Sequence, residues 1–181
     1  MYVKQLDSFV DHTKLQKDFE HLNDTVLFDP NSGQISITSI DGNNDWNCSV
    51  GKIHQLDKPE KFYRVLNRTL QGSEFERIVE AYPQYYRWRL MQLASRSNYS
   101  VHSDSNGDNK RNKRIHIPII TNDQAYLMFF NEPPQDNKSV NVTYHNLKVG
   151  NIYEINTTNY HTAVNHGNKP RWYIVGVRYE E

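Results

Sequence analysis

Apolar positions change their spacing about halfway along the chain. Over "DSFVDHTKLQKDFEHLN", Asp7 to Asn23, the residues Phe9, Leu15, Phe19 and Leu22 fall near one helical face behind a capping Asp, which predicts a helix. "SEFERIVEAY", Ser73 to Tyr82, predicts a second: Ser73 suits the cap, Phe75, Ile78, Val79 and Tyr82 form the apolar stripe, and Pro83 stops it. Beyond Pro83 the pattern shortens to strand-like runs: "YYRWRLMQL", "KRIHIPII", "AYLMFFN", "VNVTYHNL", "NIYEIN" and "RWYIVGVRY". Turn-rich segments such as "SNGDNK", "NEPPQDNK" and "KVGN" separate them. In "RIHIPI", Ile115, Ile117 and Ile119 point one way and Arg114, His116 and Pro118 the other. Many short strands at this spacing predict a mainly β antiparallel sandwich or jelly roll, with the early helices packed outside it.

The chain has 181 residues, which reads as one domain: a helical and mixed flank over 1–84 and a β core over 85–181. Twenty-one basic residues balance 21 acidic ones, removing the usual electrostatic argument for a nucleic-acid partner. The one basic run, "NKRNKR" from Asn109 to Arg114, lies beside Asp104 and Asp108 and is expected to be a solvated loop. A lone Cys48 excludes an internal disulfide framework and fits a reducing compartment. No secretory leader and no run of membrane-spanning length is visible, so a soluble cytoplasmic protein is expected, and its Asn-x-Ser/Thr sites are by-products of an Asn-rich composition.

The chemistry concentrates in "YSVHSDSNG", Tyr99 to Gly107. Residues i and i+2 of a strand share a face, so His102 and Asp104 converge if a strand runs through them. A third group must come from another strand, and His161 in "NTTNYHTAVNHGNKPRW" is the best placed. Two imidazoles and one carboxylate fill one face of an octahedral iron(II) and leave the other open for a chelating cosubstrate and dioxygen. Zinc is the competitor, lowered by the absence of HExxH and of any Cys cluster. Ten residues past His161, Arg171 opens the last strand, and its planar fork suits the distal carboxylate of 2-oxoglutarate.

In these motifs, "VHSD…RIHIPIIT…LKVGNIYEIN…NYHTAVNHGNKPRWYIV", the chain resembles the 2-oxoglutarate- and iron(II)-dependent dioxygenases. Within them it is most similar to the aspartyl/asparaginyl β-hydroxylase-like branch, which includes free-proline hydroxylases. The likeness runs from Tyr85 to Tyr179 and is weaker upstream. It implies a double-stranded β-helix, His102, Asp104 and His161 as metal ligands and catalytic centre, and Arg171 on the 2-oxoglutarate C5 carboxylate. It implies too that Arg114 and His116, the Arg-x-His strand, lean toward the cosubstrate pocket. The implied activity is hydroxylation of an amino acid, free or in a peptide, with release of succinate and carbon dioxide. Asp104 is a departure, since aspartyl β-hydroxylases proper lack the carboxylate ligand.

Some residues read as structural. His116, set among isoleucines, equally suits an interior histidine, whereas Arg114 needs either solvent or a nearby carboxylate. His145 and His166 default to structure and surface, Asn165 to turn chemistry, and Trp88 and Arg89 to the strand leading to the site, with the aromatic in the core. A metal-dependent hydrolase and a non-catalytic cupin-like binding protein are the alternatives.

Overall fold

The computed structural model of the chain describes residues 1–26, 33–104, 111–136 and 138–180. The turn "SNGDNK" and the first two residues of the basic run lie outside them. The described elements are β1 (Val3–Leu6), α1 (His12–Thr25), β2 (Gln34–Ser36), β3 (Thr38–Ser39), β4 (Val65–Leu66), α2 (Glu74–Ala81), β5 (Tyr86–Leu93), β6 (Ser97–Asn98), β7 (Arg111–Ile120), β8 (Ala125–Phe130), β9 (Val142–His145), β10 (Ile152–Asn156), β11 (His161–Asn165) and β12 (Arg171–Glu180). A six-stranded sheet in the order β1-β10-β7-β12-β5-β2 faces a four-stranded one, β6-β11-β8-β9, and β3 pairs with β4 at the side. All these pairings are antiparallel. This is the double-stranded β-helix expected from the strand spacing.

Alternation divides the large sheet into two working faces. Ile115, Ile117 and Ile119 of β7, Trp88 and Leu90 of β5, and Trp172 and Ile174 of β12 pack with Leu15, Phe19 and Leu22 of α1 and Phe75 and Ile78 of α2. The opposite face supplies Leu93, Tyr153, Ile155, Tyr173 and Val175, which meet Leu127, Phe129 and Ala163 of the small sheet. Trp88 is therefore core, as its aromatic character suggested. The N-terminal part does more than flank, because β1 and β2 complete both edges of the large sheet.

Local chemistry adjusts the predicted boundaries. The first helix starts at His12 and not near Asp7, because Asp11 is the residue whose carboxylate accepts from the Lys14 amide, 3.0 Å away. Phe9 consequently precedes the helix and packs its ring against Tyr82. Ser73 occupies the N-cap position of α2 but turns its hydroxyl back to the Leu70 carbonyl. Asp18 of α1 takes over, accepting from the Glu74 amide at 2.7 Å, so one helix caps the other. The basic run is not a loop over Arg111–Arg114, which opens β7 instead. Lys113 and Arg114 find carboxylates on opposite faces of that strand, Glu154 and Asp104.

Gly176 is required where β12 crosses the core. A Cβ there would stand 2.9 Å from the Trp88 ring and 3.0 Å from the Ile115 side chain. Gly176→Ala is expected to destabilise the protein by about 1–3 kcal/mol through overpacking. Thermal denaturation checks this, and an unchanged midpoint would show that the Trp88 ring yields freely.

Candidate functional site

Strand β11 of the small sheet and the segment bridged to its start deliver the histidines. His161 begins β11, and its backbone exchanges two hydrogen bonds with His102, at 3.0 and 2.8 Å. That exchange is an isolated bridge, so the strand expected through His102 and Asp104 does not form. Its register still sets the two rings side by side, 4.4 Å between centroids. Asp104 is fixed separately, its amide donating to the Thr157 carbonyl at 2.9 Å. The sequence-derived trio thus converges: ligand atoms of His102, Asp104 and His161 lie within 4.8 Å of one another.

Both imidazoles are oriented for coordination. His102 Nδ1 lies 2.9 Å from the Ser100 carbonyl and His161 Nδ1 lies 2.8 Å from that of Asn159. A carbonyl only accepts, so each Nδ1 carries the proton and each Nε2 lone pair is free. Those Nε2 atoms stand 3.7 and 3.9 Å from the Asp104 carboxylate oxygens. Burial lowers the His161 pKa to about 4, opposed by the Asp104 charge, so this ring is neutral at physiological pH. Burial pushes the Asp104 pKa upward, but Arg114 and the two histidines outweigh it, and the net shift is downward. A carboxylate and two imidazoles are the donor set a divalent transition metal takes.

Behind the trio lies a cavity of about 70 Å³, several times what one ordered water needs. Met91, Leu93, Leu127, Ala163 and Val175 make its apolar walls, with Tyr99, Tyr173 and Thr157 adding polar points. Arg171 lines it too. Its guanidinium is buried, rests 4.4 Å from the centre of the Tyr173 ring, and has no carboxylate partner among the described residues. Asn165 steadies this end: its amide donates to the carbonyls of Leu93, Ala94 and Lys169, tying the turn before Arg171 to the end of β5.

The Arg-x-His pair also reaches the cavity. Arg114 Nε lies 2.8 Å from Asp104 Oδ2, which answers its need for a carboxylate. His116 is buried among the lining residues with neither ring nitrogen hydrogen-bonded. Burial, then the charges of Arg114 and Arg171, hold its pKa well below the usual value, so the ring is neutral. His145 stands apart, its ring edge-on to Phe129, and His166 is exposed. Tyr99, Tyr173 and Met91 were not singled out by sequence reasoning. Their only signal is strand parity: Tyr173 shares a face with Arg171, and Met91 with Leu93.

The double-stranded β-helix of this chain is shared with several solved structures. No protein-family model matches the sequence, and no curated protein matches it. The structure of AviO1 from Streptomyces viridochromogenes Tue57 superposes with a TM-score of 0.58 at 11% identity, over 99% of this chain and 90% of that one. The non-heme alpha ketoglutarate dependent epimerase SnoN from nogalamycin biosynthesis gives 0.59 at 9%, over 99% and 77%. The same epimerase in complex with Fe3+, alpha ketoglutarate and nogalamycin RO gives 0.54 at 8%, over 97% and 78%. A prolyl hydroxylase from Trichoplax adhaerens, in complex with a hypoxia inducible factor peptide fragment, gives 0.56 at 12%, over 98% and 82%. At these identities the likeness establishes a shared fold, and it extends across the N-terminal part as well as the β core.

Proposed function

We propose that the protein is a 2-oxoglutarate- and iron(II)-dependent dioxygenase that hydroxylates an amino acid, free or within a peptide. One observation carries the reading: a His–Asp–His trio with its Nε2 atoms turned to the carboxylate shares a cavity with a buried guanidinium that has no acid partner among the described residues. His102, Asp104 and His161 would hold the iron, and Arg171 would receive the distal carboxylate of the cosubstrate, with Tyr173 stacked behind it. Arg114 and His116 would border the cosubstrate, Arg114 through its pairing with Asp104. Iron and cosubstrate together supply dioxygen activation, with 2-oxoglutarate and dioxygen giving succinate, carbon dioxide and one oxygen atom for a C–H bond. The protein's share is to orient the ligands, neutralise the carboxylates and exclude water from an apolar chamber.

The aspartyl/asparaginyl β-hydroxylase-like branch is supported by the motif order, and the presence of Asp104 favours its proline-hydroxylase side. Neighbours of the same fold that use alpha ketoglutarate support the activity. A hydrolase using the same trio would leave Arg171 buried with nothing to hold. A cytoplasmic location is proposed from the lone Cys48. No helix among the described residues is long and apolar enough to cross a membrane.

The test is direct. Anaerobic protein is given iron(II) and 2-oxoglutarate, then oxygen, and succinate is measured beside 2-oxoglutarate binding. Binding plus succinate release above a His102→Ala control is expected. Neither binding nor succinate in the wild type would sink the reading.

A further inference from the structure

Two arginines stand two residues apart on β5 and meet different fates. Arg87 is fully answered: it pairs with Glu60 and donates to the carbonyls of Ser49, at 2.9 Å, and Gly51, at 2.7 Å. Glu60 in turn also accepts from the Tyr179 hydroxyl, so each of its oxygens already has a partner. Arg89 is as deeply buried, at 2% exposure, yet among the described residues only its Nη1 has a hydrogen-bond partner, the neutral amide oxygen of Gln34 at 2.8 Å. Its Nε and Nη2 are buried with no hydrogen bond. A guanidinium stays charged in proteins. An uncompensated buried charge of this kind is among the costliest features a fold can carry.

Register shows where Arg89 faces. It lies opposite Val175, which lies opposite His116, so the three share a row across the large sheet and a face toward the small one. Val175 and His116 line the cavity, as does Met91, two residues along β5 on the same face. Burial raises the pKa of Tyr99, another lining residue, and the charges of Arg171 and Arg89 oppose that rise, so both guanidiniums lie within electrostatic reach of the chamber. Four residues of β5, roughly 13 Å of strand, separate the Arg89 row from Leu93, the partner of Arg171. Arg171 lines the chamber itself, while Arg89 stands beside its wall, in the row of the lining residues Val175 and His116, at a different level.

Charge counting points the same way. Resting on the reading of a bound iron(II) and a doubly charged cosubstrate, those two cancel. Around the chamber, among the described residues, that leaves Arg114 and Arg171, with Arg89 beside them, against the carboxylate of Asp104. Glu60, whose charge also reaches Arg89, is paired with Arg87. We infer that Arg89 is the anchor for a carboxylate of the prime substrate, so that the substrate is a small amino, hydroxy or simple carboxylic acid with its acid group free, and not an internal residue of a peptide. A free acid supplies the counter-charge that Gln34 cannot, through charge-assisted hydrogen bonds to Nε and Nη2.

The experiment uses the full chain loaded anaerobically with iron(II) and 2-oxoglutarate. Probes are the common L-amino acids with their 2-hydroxy and deaminated counterparts, each beside its carboxamide, and succinate formation is read after oxygen is admitted. At least one free acid is expected to stimulate turnover, preferred over its carboxamide by about 30-fold or more, the effect of an unpaired buried charge. Stimulation by no acid, or equally by acid and amide, overturns the inference. Arg89→Met supplies an independent readout. Removing a charge that has no partner in the substrate-free protein is expected to leave Tm unchanged or raised, with 2-oxoglutarate affinity held within about twofold and the acid preference lost. A fall in Tm marks Arg89 as structural, and a parallel loss of 2-oxoglutarate affinity assigns it to the cosubstrate; either overturns the inference. Wild type that binds no 2-oxoglutarate fails the dioxygenase reading itself, which separates the two.

Discussion

Asp104→Ala is expected to reduce iron(II) affinity by roughly 100-fold or more, since even partners behind the metal ligands are worth 10- to 100-fold. Asp104 is the only carboxylate in the trio, and its oxygens stand between the two Nε2 atoms. Its removal therefore takes away a donor and the one negative charge facing a divalent cation. It also strips Arg114 of its partner, so a stability loss of about 3–5 kcal/mol accompanies the binding defect. Equilibrium dialysis with iron(II) or cobalt(II), beside a metal-free melting curve, separates the two effects. His145→Ala, which changes a ring outside the cavity, is the control that keeps full metal affinity. Wild-type stoichiometry and affinity in Asp104→Ala would remove this residue from the metal centre.

The second large effect is at Arg171. Arg171→Ala is expected to weaken 2-oxoglutarate binding by about 2–4 kcal/mol, or roughly 30- to 1,000-fold, the range for truncating a buried hydrogen-bonded charge pair. Iron affinity should hold, because Arg171 is not one of the three residues that would ligate the metal. Arg171→Lys is expected to restore only part of the loss, since an ammonium offers a point charge where the guanidinium offers a planar fork and a face for Tyr173. Calorimetric titration of the metal-loaded protein measures all three. Undiminished binding in Arg171→Ala would assign the distal carboxylate elsewhere.

The β core was legible because its strands alternate cleanly. "RIHIPI" announced both faces of β7, and the structure keeps them: isoleucines against the helices, Arg114 and His116 toward the cavity. The trio was legible from spacing and order. What escaped has identifiable reasons. β11 was not separable as a strand, because "HTAVN" is short, mixes polar and apolar residues, and is buried on both faces. β1 and β2 are edge strands of four and three residues, too brief for a period to show. The helix start moved because Asp7 and Asp11 are both plausible caps and only backbone geometry chooses between them. Arg89 could be placed on a strand, but which face met the chamber depended on its register with Val175 and His116.

The His102–His161 bridge carries a consequence for motion. β6 pairs with β11 through Val164 and Asn165, Tyr99 is tied to Ala163 and Thr162, and His102 rejoins β11 through one exchanged pair of bonds. Two metal ligands are thus held by a seam and not by a continuous sheet, and regions secured by few backbone bonds open at low free energy. Coordination across that seam would convert a breathing edge into a closed one, so hydrogen exchange at the His102 and His161 amides would slow on metal loading while the β7–β12 ladder kept its own pace.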